Sequence, residues 1–112
     1  MKVLTSLIET DGDAGSATGS KKINVNGVIY AVELNYTNLP NTTDVELKSG
    51  ATEVLTRSNS ATDETFYPRV AASKPDGSAS TLTEVGPAVR KLDVAIAQAD
   101  PNGELEITLW VE

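Results

Sequence analysis

The chain has 112 residues, enough for one hydrophobic core and too few for two. Sixteen acidic residues against nine basic ones give a net charge of −7, and the basic residues scatter from Lys2 to Lys91. That excludes the clustered positive patch that nucleic acid or an anionic membrane requires. Cys and His are both absent, which excludes disulfides, thiolate nucleophiles, zinc sites of the usual kind and an imidazole general base.

Residues 2–9 alternate loosely, with apolar side chains on both sides. They read either as a buried first strand or as an arm that completes a neighbouring subunit's sheet, with Val3, Leu4 and Ile8 as candidate contacts. The apolar run is too short for a signal peptide or a membrane span, which points to synthesis in the cytoplasm. Residues 10–20 hold three glycines and nothing larger than Thr or Asp, the composition of a flexible tether. Asn26-Gly27 predicts a two-residue hairpin turn between Ile23-Asn24-Val25 and Val28-Ile29-Tyr30. A long strand then places Val28, Tyr30, Val32, Leu34 and Tyr36 on one face.

Asp44–Lys48 and Thr52–Arg57 predict a second hairpin about Ser49-Gly50-Ala51. A polar loop over 58–64 leads to Thr65-Phe66-Tyr67-Pro68-Arg69-Val70, which Pro68 confines to an edge. Lys74-Pro75-Asp76-Gly77 predicts a turn, residues 81–85 an extended segment, and Gly86-Pro87 a break. The final runs, Lys91–Gln98 and Glu104–Glu112, flank Asp100-Pro101-Asn102-Gly103. They predict a hairpin with Leu92, Val94 and Ile96 facing the same core as Leu105, Ile107, Leu109 and Val111. Trp110 falls on the polar side, where it covers an open sheet face or anchors a protein contact.

Candidate chemistry is sparse. Asp11-Gly12-Asp13 opens like a calcium loop, but Gly15, Ser16 and Lys22 stand where the oxygen ligand, the glycine and the bidentate Glu belong, so no metal or other cofactor is expected. Glu104 and Glu106 share a face with Trp110, yet nothing in the sequence supplies the raised pKa a general acid needs. No G-x-S-x-G elbow and no Gly-rich phosphate loop occurs. Tyr30, Tyr36, Tyr67 and Trp110 would stack sugars if two of them met on an exposed concave face; Tyr30 and Tyr36 otherwise read as core. Arg69 beside Tyr67 reads as a contact to a carboxylate on another subunit or as a self-satisfied surface pair.

Leu39-Pro40-Asn41-Thr42-Thr43-Asp44-Val45, then Glu53-Val54-Leu55-Thr56 with Asn59, Thr62-Asp63 and Phe66-Tyr67-Pro68-Arg69-Val70, have the rhythm of another group of proteins. Over about residues 28–112 the chain resembles small tailed-bacteriophage virion proteins. The resemblance implies an accessory head protein, a decoration or cement module bound in many copies to the major capsid protein, or else a neck or tail component. It also implies a homo-oligomer located in the virion; the candidate interface residues, Val3, Leu4 and Ile8 of the arm together with Tyr67, Arg69 and Trp110, come from the readings of the residues above.

The strand and turn signals define an all-β chain, a single-domain antiparallel β-sandwich or small barrel spanning 1–112. Three function classes compete: a non-enzymatic virion protein, a glycan-binding β-sandwich module and an enzyme. The glycan-binding class requires Trp110 and a Tyr together on an exposed concave face, and the enzyme a pocket with a perturbed carboxylate.

Overall fold

The computed structural model describes the backbone of residues 1–73 and 76–112, and side chains outside 71–75 and 79–83. Nine strands are present among the described residues: β1 Lys2–Glu9, β2 Ala17–Thr37, β3 Asp44–Ser49, β4 Thr52–Arg57, β5 Glu64–Phe66, β6 Val70–Ser73, β7 Ala79–Val85, β8 Ala88–Ala99 and β9 Glu104–Val111. The chain is all-β and antiparallel. Seven strands form one continuous ladder that folds on itself into two layers. One layer runs β1-β9-β2-β5, the other β2-β8-β3-β4, and β6 and β7 make a separate two-stranded ribbon.

The 21-residue β2 belongs to both layers. Its first half pairs with β8 from Ala17 to Val28, and its second half pairs with β9 from Ile29 to Thr37. The crossing point is the Asn26-Gly27 dipeptide, which is therefore not a hairpin turn. A type I′ turn needs both central residues at positive φ; here Asn26 alone has it, at 50°. Gly27 is required for space instead, because a Cβ there would lie 2.5 Å from Val111 Cγ1 and 2.8 Å from the Glu112 carbonyl oxygen. Beyond it, Val28 exchanges backbone hydrogen bonds with Glu112 while Ile29 donates to the Pro87 carbonyl, so the strand changes layer with its polar groups satisfied.

The C-terminal runs also part company. β8 pairs with β2 and β3, β9 with β1 and β2, so the expected hairpin is an arch that carries the chain from one layer to the other. The predicted inward faces do share the core: Leu92, Val94, Ile96, Leu105, Ile107, Leu109 and Val111 are all buried, but they meet across the sandwich and not along a ladder. Asn102 takes the positive φ, 61°, whereas Gly103 provides room beside Leu39 and Thr10. Thr10 fastens the arch: its hydroxyl donates to the Asp100 carbonyl at 2.7 Å and accepts from the Gly103 N–H at 2.9 Å.

That clamp corrects the reading of residues 10–20 as a tether. Thr10 is buried, Asp11 and Thr18 exchange backbone hydrogen bonds, Gly15 N–H donates to Asp100 Oδ1, and Ala17 is fully buried as the first residue of β2. The segment is a short connection between two core strands. β3 and β4 form the predicted hairpin, with Gly50 at φ 59°. Lys74 and Pro75 of the expected turn lie outside the described residues, while Asp76 accepts hydrogen bonds from the N–H and hydroxyl of Ser78.

Candidate functional site

The outer face of the β1-β9-β2-β5 layer is graded. Register places Val3, Trp110 and Ala31 in one row, Thr5, Thr108 and Glu33 in the next, then Leu7, Glu106 and Asn35, and finally Glu9 and Glu104. Directly opposed residues on antiparallel strands point to the same side, so one end of this face is apolar and the other acidic. At the apolar end Met1, Tyr30, Ala31, Thr65, Tyr67 and Trp110 line an open depression of about 190 Å³.

Tyr30 reaches this face because of a bulge. Between the pairs Ile29–Val111 and Ala31–Trp110 β2 carries one extra residue, Tyr30, which reverses the alternation and turns it away from the core face predicted for it. Val32 and Leu34 keep their inward placement, and Tyr36 packs against the core. Tyr30 is 41% exposed and Tyr67 58%; their rings meet edge to face with centroids 5.7 Å apart. Behind them the Arg69 guanidinium lies 5.6 Å from the Tyr30 centroid, and its Nη1 donates to the carbonyls of Pro68 at 2.7 Å and Tyr30 at 3.2 Å. Arg69 thus braces the aromatic pair through backbone bonds and a cation–π contact.

Of the residues singled out in the sequence, Tyr67 and Trp110 line the depression, Val3 flanks Trp110 at 56% exposure, and Arg69 stands behind Tyr30. Leu4 packs against the core. Ile8 is a correction: at 3% exposure it belongs to its own domain's core, because β1 pairs along its whole length with β9 of the same chain. Sequence reasoning weighed Tyr30 as a sugar-stacking residue but placed it on the core face, and it missed Met1, Ala31 and Thr65 as members of the site. Only the bulge turns Tyr30 outward, and no residue type announces it.

The segments on which the resemblance to virion proteins rests have local structural work here. Thr43 donates its hydroxyl to the Pro40 carbonyl, Asp44 accepts from Asn59 N–H, Ser60 N–H donates to the Thr43 carbonyl, and Asp63 accepts from Tyr36 N–H. These are turn and loop anchors that a β domain uses irrespective of its function.

No protein-family model and no curated protein matches the chain. Among solved structures it is similar to the CBM36-1 domain, a carbohydrate-binding module, of a multidomain xylanase from the hindgut metagenome of Trinervitermes trinervoides. That likeness has 7% sequence identity and a TM-score of 0.44, and covers 97% of this chain and 98% of that one. A likeness that distant says nothing about what this chain binds.

Proposed function

We propose that the protein is a non-catalytic glycan-binding β-sandwich whose site is the depression formed by Tyr30, Tyr67 and Trp110. The observation that carries this reading is their convergence: the tryptophan and two tyrosines that sequence alone leaves separate line one exposed hollow. Aromatic faces are apolar and carry the negative side of a quadrupole, so they suit the C–H-rich faces of pyranose rings, while phenol hydroxyls and Thr65 supply donors and acceptors at the rim. Arg69 fixes Tyr30 in place, which reduces the ordering cost of binding. The acidic balance of the chain disfavours polyanions and leaves neutral sugars unaffected.

Trp110 is the sole tryptophan, so its emission reports directly on the site. The experiment is a screen of immobilised glycans, followed by titration of the best binders against tryptophan fluorescence. The expected result is a saturable spectral shift that Tyr67→Ala weakens at least tenfold with an unchanged melting temperature, because Tyr67 is exposed and its removal opens no cavity in the core. A screen with no binder, or a Tyr67→Ala variant that binds as well as the parent, rejects the reading.

A further inference from the structure

The aromatic depression does not end at Tyr30. We infer that it is one end of a groove that holds an internal stretch of an uncharged polysaccharide chain, an inference that rests on the glycan-binding reading above. Tyr30 also lines a second depression of about 570 Å³, whose walls carry Arg69, Glu84 and Glu112. Val28 and Ala88 are in turn shared between that depression and a third, of about 480 Å³, which extends to Asn26 and Arg90. The three hollows form one path over the point where β2 changes layer. Alone, the aromatic hollow is below the usual size of a small-molecule pocket, whereas the joined path exceeds what a single sugar ring fills. All three are open to solvent. A chain therefore passes along the path, where a closed pocket would instead select a chain end.

The chemistry changes along the path in the way a polyhydroxylated chain requires. The aromatic end offers flat apolar faces. The middle offers the carboxylates of Glu84 and Glu112, each able to accept from two neighbouring hydroxyls, beside the Arg69 guanidinium with its fork of donors. The far end offers the amide of Asn26 and the guanidinium of Arg90. Along the path the two carboxylates are balanced by the guanidiniums of Arg69 and Arg90, so it is the net charge of −7 on the whole chain that disfavours uronate or sulfate groups and favours an uncharged chain as the occupant.

Calorimetry with oligosaccharides of one to six units, prepared from whichever neutral polymer binds best in the screen, tests this on the intact protein. Affinity is expected to rise at least tenfold between two and six units, and polygalacturonate is expected not to compete. Ala88→Phe fills the junction of the second and third hollows from an exposed position. It is expected to reduce six-unit affinity to the two-unit level while leaving disaccharide binding and the melting temperature unchanged. Equal affinity of the parent protein for two and six units, or an Ala88→Phe variant that keeps the parent's preference for six units, overturns the groove and leaves the aromatic site standing. Competition by polygalacturonate overturns the preference for uncharged chains. Absence of binding by any oligosaccharide overturns groove and site together. If Ala88→Phe does not fold, the chain-length series on the parent protein decides alone.

Discussion

Tyr36 shows how one side chain ties this fold to pH. Its backbone N–H donates to Asp63 Oδ1, but its phenol oxygen is buried with no hydrogen-bond partner among the described residues. Burial pushes its pKa up from 10 to about 12, with Glu64 and Asp63 acting in the same direction and Arg57 opposing. Below pH 10 the phenol is neutral in the folded and unfolded chains alike. Above pH 10 the unfolded chain releases its proton first, so stability falls as pH rises and levels off beyond about pH 12. Tyr36→Phe is expected to remove this component of the alkaline loss. Near neutral pH it should cost little stability, since it deletes an unpartnered hydroxyl. Urea unfolding of both proteins between pH 8 and 11 checks this; parallel pH profiles would contradict it.

At the level of elements, the bent strand β2 organises the molecule, and its corner depends on a missing side chain. Gly27→Ala would place a methyl against Val111 and the Glu112 carbonyl, an overpacking expected to cost about 1–3 kcal/mol. The urea midpoint should fall with the slope unchanged. The same corner marks where sequence reading stops. Alternation correctly identified the inward residues of β8 and β9, because burial is a property of each strand's own period. It paired those strands wrongly because Asp100-Pro101-Asn102-Gly103 suits an arch as well as a hairpin, and the choice lies with Thr10, some 90 residues away in sequence. Asn26-Gly27 likewise looked like a turn because the residues that crowd Gly27 are at the other end of the chain. Of the candidate site, Trp110 was legible as a polar-side aromatic and Tyr67 as an aromatic in an edge segment, whereas Tyr30, though a candidate for stacking, read as core because its bulge depends on the register with β9.

For the whole molecule, the N-terminal strand is part of the body. β1 contributes Ile8 and Leu4 to the core and covers one edge of β9. Deleting residues 1–9 is expected to abolish the cooperative thermal transition, and a truncated chain that melts like the parent would show β1 to be an appendage. The β1–β9 pairing has a mechanical corollary. Lys2 lies opposite Val111 and Glu9 opposite Glu104, so both ends of the chain emerge side by side. Tension between those ends would open the ladder like a zip, one cross-strand pair after another. Tension applied between residues 9 and 111 would load all the pairs in shear at once. Single-molecule pulling should therefore record a lower rupture force for the end-to-end geometry than for the sheared one, and the first strand to peel away would be the one that carries Met1 from the rim of the aromatic hollow.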